Sequence, residues 1–307
     1  MFNIKKLDKY SKKPTKHLYL LGPSIGVNSY DKIMLGGVIS NLKLPPSRLQ
    51  FLVSPLYAIG SKNLNGISFA NYSFYPKGPV RKIDIGISTS KFTMDRFEDT
   101  LGNKVFMSFN KIVPGIRFTF KEKNARSNLV KYLQFKTYLI NEDNLRFRKD
   151  SLFPGNDTII INNPYTIKKS RTLNQLLIVA ENYRVLYPYR GELKIEQGKG
   201  FIRLGFTGNY FFNYAVQKKG AAIRLFAGKF IYTNRGKADR FLYALNLSAP
   251  KGNLDYTYSD YFMGRNDYPL RSSGYNWTIP YQQIMIRDGA LKVNTDLQGN
   301  LGSSDDW

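Results

Sequence analysis

Hydrophobic and polar residues alternate along residues 200–214 for longer than an ordinary strand requires. Ile202, Leu204, Phe206, Tyr210, Phe212 and Tyr214 share one parity, and Arg203, Gly205, Thr207, Asn209 and Asn213 share the other. Because successive side chains of a strand point to opposite faces, this pattern predicts a strand with one apolar and one polar face. Globular strands average about five or six residues, whereas a tilted membrane-spanning strand needs about 9 to 11. The stretch therefore predicts a transmembrane β-strand.

The same alternation recurs in residues 81–92, 105–121 and 130–140, and further strands are predicted over residues 191–214, 221–232 and 240–249. We find no convincing amphipathic helix. The roughly twelve predicted strands follow one another at about 15 to 25 residues, a wider spacing than the 8 to 12 of soluble β-sandwiches. The predicted fold class is all-β: an antiparallel up-and-down transmembrane β-barrel of roughly 12 strands.

The predicted domain organisation is a basic lead-in over residues 1–16 followed by one barrel domain over residues 17–307. Long loops are expected near residues 141–170 and 251–280, with a short hairpin around residues 158–161 as the alternative for the first, and the last strand over residues 283–293. Barrels carry such loops on one side. The first ten residues lack the apolar segment of a secretion signal. Since a barrel must be exported, either a leader lies upstream in a longer parent chain or the barrel hypothesis is wrong.

The composition is compatible with a membrane-embedded protein and with an aromatic-rich soluble β-protein. Aromatic residues make up 15% of the chain, with 22 Tyr and 21 Phe, and Tyr favours the boundary between hydrocarbon and headgroups. The formal net charge is +24, spread in small groups near predicted turns. We expect anionic outer-membrane lipid and lipopolysaccharide as partners, ahead of a solvated surface without a partner, and no nucleic acid.

The chain offers little to catalysis. His17 is the single histidine and there is no cysteine. These counts exclude His-rich and Cys-rich metal sites, the HExxH zinc motif and triads that need a histidine beside a second base. Acidic groups at residues 95–99 and 141–144 contain oxygen ligands for calcium but lack EF-hand spacing, which favours solvated loops. We expect no catalytic residue and no cofactor in this chain.

Charged residues on the polar parity of the predicted strands are the candidate site residues. Two roles are open for them: an anion-attracting pore lining, or structural pairing with carboxylates inside the barrel. The lumen-lining candidates are Asp84, Arg117, Lys121, Lys136, Arg203 and Arg224.

Five segments occur in a familiar order: PSIGVNSYD (23–31), LQFLVSPLY (49–57), YSFYP (72–76), RLFAG (224–228) and YFMGR (261–265). From about residue 18 to residue 307, the succession resembles the C-terminal outer-membrane barrel of many Bacteroidota metallopeptidases of the gluzincin, aminopeptidase-N-like type. The resemblance implies a location in the bacterial outer membrane and a zinc-binding HExxH domain upstream. It also implies further strands beyond Trp307, so that the chain is a fragment. No catalytic residue carries over, because the matching segments are strand and turn signatures.

The leading functional hypothesis is therefore a barrel domain that anchors an upstream zinc metallopeptidase in the outer membrane. A pore, or an export barrel that assembles other outer-membrane proteins, is the second hypothesis. A soluble polyanion-binding β-protein is the third.

Overall fold

The computed structural model describes residues 19–28, 30–43, 45–98, 102–124, 126–152, 159–215, 219–247, 255–259, 266–272, 275–281 and 303–305. Eleven strands form one antiparallel sheet in which each strand pairs with the next along the chain. Their bounds are Leu20–Asn28 (β1), Lys32–Ser40 (β2), Leu49–Ala58 (β3), Leu64–Phe74 (β4), Val80–Glu98 (β5), Lys104–Phe120 (β6), Leu129–Leu152 (β7), Ile159–Asn182 (β8), Tyr189–Gly198 (β9), Phe201–Asn213 (β10) and Gly220–Tyr232 (β11). The predicted all-β, up-and-down architecture is confirmed. Within the described ranges β1 and β11 are not paired, so the sheet is barrel-like and open.

Smaller elements follow β11. A 3-10 turn spans Arg235–Lys237, and a four-residue helix (α1) spans Arg240–Tyr243. Leu245–Asn246 (β12) pairs with Ser303–Ser304 (β15), while Asn266–Ser272 (β13) and Tyr275–Tyr281 (β14) form a hairpin. The predicted lead-in over residues 1–16, His17 and the predicted strand over residues 283–293 lie outside the described residues.

No helix among these described segments has the length and apolar character needed to cross a membrane.

The two faces of the sheet have opposite chemistry. The outer face carries large apolar side chains in the open: Phe206 is 46% exposed, Ile85 47% and Phe135 41%. On the inner face Arg203 is 3% exposed and Gln134 5%. Directly paired residues share a face, and the register joins Phe206 to Leu193 and Arg203 to Glu196. The predicted alternation is therefore correct for these strands.

Two hairpins extend beyond the rest of the sheet. One contains much of the acidic group at residues 95–99, which was expected in a solvated loop, and the other contains most of the predicted long loop near residues 141–170. β5 continues to Glu98 and β6 begins at Lys104, so much of residues 94–103 is strand. The predicted long loop over residues 141–170 is wrong, because β7 and β8 pair from Asn141 with Ser170 to Leu152 with Ile159. This extension mixes apolar and charged side chains on both faces, with Phe147 beside Lys149 on one face and Ile167 beside Lys169 on the other, so it has no hydrophobic period to detect. Backbone pairing and opposite charges in register, such as Glu142 with Lys169, support it instead.

Two further predictions need correction. Residues 191–214 are not one strand: β9 and β10 are separated by a turn at Lys199 and Gly200, where Gly200 has a φ of 85° that glycine adopts without a Cβ clash. The predicted strand over residues 240–249 is instead α1 and β12 in its described part. Tyr243, Ala244 and Leu245 are all buried, so burial does not alternate there. Consecutive residues of this segment pack against the sheet, and this packing prevents the extended conformation that the alternating sequence predicts.

We call the end of the sheet where β1 begins the proximal end and the opposite one the distal end. Connections 41–48, 75–79, 121–128, 183–188 and 214–219 lie at the proximal end, because the strands run up and down in chain order. The β5–β6 and β7–β8 hairpins project at the distal end. The core lies on the inner face and centres on Phe92, Phe109, Phe201 and Phe230.

Candidate functional site

The structure places five of the six lumen-lining candidates on the inner face and the sixth beyond a strand end. The register pairs Asp84 with Arg117 and Arg203 with Phe230, and it pairs Arg224 with Asn209. Lys136 follows Gln134 on the same face. Lys121 comes after the end of β6 and is exposed, with its backbone N–H donating to the Pro79 carbonyl at 2.8 Å. The role of these residues in a pore remains a prediction.

Arg203 belongs to a buried network at the distal half of the inner face. Its Nη1 donates to Glu196 Oε2 at 2.7 Å and to Tyr256 Oη at 2.8 Å. Tyr256 Oη in turn donates to Glu196 Oε2 at 2.7 Å, and Gln175 Nε2 donates to Glu196 Oε1 at 2.8 Å. Both Glu196 and Arg203 are almost fully buried. A buried ion pair persists only when such bonds offset desolvation, so this network depends on all its members.

A second network joins the sheet to Tyr258. Tyr258 Oη donates to Glu142 Oε2 at 2.9 Å, and Arg171 Nε donates to the same oxygen at 3.2 Å. The Tyr258 ring stacks on Phe109 with centroids 4.2 Å apart. Lys111 Nζ donates to the Tyr258 carbonyl at 2.6 Å. These contacts hold residues 255–259 against β5–β8.

Residues 239–247 and 255–259, which we call the inward segment, cover much of the inner face near the distal end. The Tyr243 ring packs on Phe201 with centroids 4.6 Å apart. Leu245 occupies space that a side chain at Gly228 would fill. Together with the two networks, these contacts make the inward segment part of the core.

Two tyrosines of the inward segment have raised pKa values. Burial raises the pKa of Tyr258, and the neighbouring Glu142 carboxylate raises it further, against an opposing effect of Arg171. Burial also raises the pKa of Tyr243, which Arg171 opposes. Both phenols therefore remain protonated at neutral pH, where Tyr258 Oη donates to Glu142 and Tyr243 Oη accepts from Arg171 Nη1 at 3.4 Å.

The proximal half of the inner face holds an open cavity of about 570 Å³ between β4 and β7. Gly86 and Gly115 are directly paired in its wall. Arg117 and Lys136 lie beside this pair, on the same face. Asp84 also borders the cavity, and its carboxylate is engaged by Lys82 Nζ at 2.8 Å and by Ser73 Oγ at 2.6 Å. The cavity is therefore polar and carries more positive than negative charge.

Sequence reasoning missed the partners of the candidate residues. It predicted pairing with carboxylates inside the barrel, and Asp84 was the one acidic candidate, whereas Arg203 pairs with Glu196. Recognition of the turn at Lys199 and Gly200 would have placed Glu196 opposite Arg203, since a tight hairpin fixes its register. No local signal points to Tyr256, because it reaches the network from outside the sheet.

Among the residues that the structure describes, no group of three or more His, Cys, Asp or Glu side chains is arranged to hold a metal ion. Comparisons of this chain with protein-family models, with curated proteins and with solved structures gave no match. The geometry of the two faces therefore carries the functional argument.

Proposed function

We propose that this chain is a membrane-embedded β-barrel domain of the bacterial outer membrane and that its work is anchoring. The observation that carries the proposal is the polarity of the sheet, which exposes Phe206, Ile85 and Phe135 on the outside and buries Glu196 and Arg203 inside. Full burial of such a side chain contributes about 1.5 to 3 kcal/mol, so in water each of these half-exposed side chains forgoes roughly half of that stabilisation. In hydrocarbon the same face is solvated, and the charged groups stay inside.

The height of the apolar outer band supports the proposal. On β6 the outer positions from Ile112 to Phe120 are Ile, Pro, Ile, Phe and Phe, and the next two outer positions toward the distal end are Asn110 and Ser108. Nine residues at about 3.4 Å each, tilted by about 40°, give a band about 23 Å tall. This value is close to the roughly 25 Å apolar band of outer-membrane barrels.

The proximal end has the residue types of a membrane–water interface. The exposed aromatic residues at or near this end are Tyr19, Tyr72, Phe74, Tyr75, Phe120, Tyr183, Tyr210, Phe212 and Tyr214. The described residues of its connections include eight cations, Lys43, Arg48, Lys77, Lys121, Lys123, Arg126, Arg184 and Lys219, and one acid, Glu122. Aromatic rings favour the headgroup level, and cations attract anionic lipid. We propose that this rim contacts lipid phosphates.

We favour an anchor over an open pore because of the inward segment. Its contacts with Phe201, Phe109 and Glu196 fill the distal half of the interior. A filled interior suits a domain whose role is attachment. The resemblance to gluzincin metallopeptidases supplies the proposed cargo, an upstream zinc peptidase held at the membrane.

Reconstitution tests the proposal. The chain is unfolded in urea and diluted into buffer with or without phospholipid vesicles, and the vesicles are then floated on a density gradient after an alkaline carbonate wash. We expect the protein to float with the vesicles and to aggregate without them. A monodisperse, folded chain in detergent-free buffer would overturn the proposal in favour of a soluble β-protein.

A planar-bilayer recording separates the anchor from the pore. We expect no steady conductance from the reconstituted chain. Stable channels whose conductance falls on replacement of Arg117 or Arg203 by Gln would favour the pore and refute the anchoring role.

A further inference from the structure

The proximal cavity contains two cations that lie close together. Arg117 is paired with Gln134 across β6 and β7, and Lys136 lies two residues farther along the same face of β7. Diagonal neighbours of this kind are about 7 to 8 Å apart. This value is the spacing of the residues in the sheet, and both long side chains line the same cavity, where like charges repel each other and an anion between them would relieve the repulsion.

The available donors face the cavity. Arg117 donates through Nε at 2.8 Å and through Nη2 to one oxygen of Gln134, and its guanidinium lies over the Tyr132 ring at 4.5 Å. These contacts fix the guanidinium plane through Nε and Nη2, and Nη1 is not used in them. Lys136 is half-buried, and the structure gives its Nζ no hydrogen bond or ion pair with a described residue. The site therefore has a positioned guanidinium and an ammonium with spare donors.

The hollow beside the two cations results from the sequence. Gly86 and Gly115 face each other across β5 and β6, and each leaves bare backbone on the inner face. A Cβ at Gly115 would lie 3.1 Å from Lys136 Cγ, so any larger residue would displace the lysine stem. Asp84, the acidic group of the cavity wall, is already engaged by Lys82, Ser73 and Asn71. Although Asp84 is opposite Arg117 in the register, its ion pair is with Lys82, so Arg117 and Lys136 leave the cavity with a net positive charge.

We propose that this cavity is a binding site for a water-soluble oxyanion, a small molecule bearing a phosphate or carboxylate group that contacts Arg117 and Lys136. A volume of about 570 Å³ lies within the range of small-molecule sites, about 300 to 1,000 Å³. The cations supply charge-assisted hydrogen bonds, which are the stronger class of such bonds. The site lies on the inner face and does not depend on whether the outer face meets lipid or water.

Calorimetric titration of the folded, detergent-solubilised chain with citrate and with inorganic phosphate tests the proposal, and glycerol serves as the uncharged control. We expect saturable binding of at least one anion and none of glycerol. Lys136→Met should weaken the affinity by about tenfold to a hundredfold, as expected for loss of a bond to a charged group. Lys136→Arg should retain binding. Lys199→Met, at the exposed distal turn between β9 and β10 and outside both the cavity and the proximal rim, is the matched control and should bind as the unchanged chain does.

Circular dichroism and heat-dependent mobility in SDS gels establish that each variant is folded. Absence of binding to the folded unchanged chain would overturn the proposal, as would equal binding by Lys136→Met. A further arm replaces the detergent with vesicles with and without phosphatidylglycerol. If only the vesicles with phosphatidylglycerol abolish citrate binding, and Lys136→Met removes this competition, the bound oxyanion is a lipid headgroup and the proposal of a soluble ligand is refuted.

Discussion

Replacement of Phe206 by Arg tests which side of the sheet meets lipid. Phe206 lies at the middle of the 13-residue strand β10, is 46% exposed, and has Leu193 and Ala227 as its outer-face neighbours. An arginine at the bilayer midplane costs about 2 to 4 kcal/mol in an outer-membrane barrel. This cost corresponds to a loss of about 30-fold to 1,000-fold in the folding equilibrium. In water, a substitution at an exposed position would change the free energy of unfolding by less than about 0.5 kcal/mol.

The matched control is Thr207→Arg, one residue along the same strand. Thr207 points to the inner face and is paired with Glu192, whose carboxylate can accept from the new guanidinium. We expect Thr207→Arg to fold into vesicles nearly as well as the unchanged chain. The assay is urea titration of folding into phospholipid vesicles, followed by heat-dependent mobility in SDS gels. Equal losses for the two variants, or a loss confined to Thr207→Arg, would refute the assignment of the faces.

Three further predictions concern the buried networks and the exposure of the hairpin. Glu196→Gln leaves the Arg203 charge without its carboxylate, so the free energy of unfolding should fall by about 3 to 5 kcal/mol in urea titration. Tyr258 has a raised pKa in the folded protein. Its contribution to the free energy of unfolding is therefore fully present below about pH 10 and declines above it, because the unfolded chain loses the phenol proton first. Tyr258→Phe should therefore lessen the fall in stability between about pH 9 and 11. Because the chain has no cysteine, a membrane-impermeant maleimide should label Arg148→Cys in vesicles rapidly and Ile178→Cys slowly.

Each of these three has a result that contradicts it. A loss below about 1 kcal/mol for Glu196→Gln would mean that Arg203 reaches water. An unchanged alkaline profile in Tyr258→Phe would assign the effect to other phenols, Tyr243 among them. If Ile178→Cys in vesicles is labelled as rapidly as Arg148→Cys, position 178 lies outside the bilayer.

The alternation of apolar and polar residues was sufficient to predict which face of the sheet each strand side chain occupies. Side chains alternate on a strand whatever the surroundings, so Phe206 and Arg203 were assigned to opposite faces from their parity alone. The order of the strands also followed, because short connections between antiparallel strands favour adjacent pairing. The extended β7–β8 hairpin was not predicted because apolar and charged side chains are mixed on both of its faces, as with Phe147 and Lys149 on one and Ile167 and Lys169 on the other.

The inner site depended on contacts that no local pattern contains. Glu196 meets Arg203 through the register of a hairpin, and Tyr256 and Tyr258 reach the sheet from a segment that follows the last strand of the sheet. The hollow at Gly86 and Gly115 exists because two strands place their glycines side by side. Sequence by itself determined which side chains share a face, since that depends only on backbone geometry. The tertiary structure decided which charges are paired, covered or left facing a cavity, since that depends on residues distant in the chain.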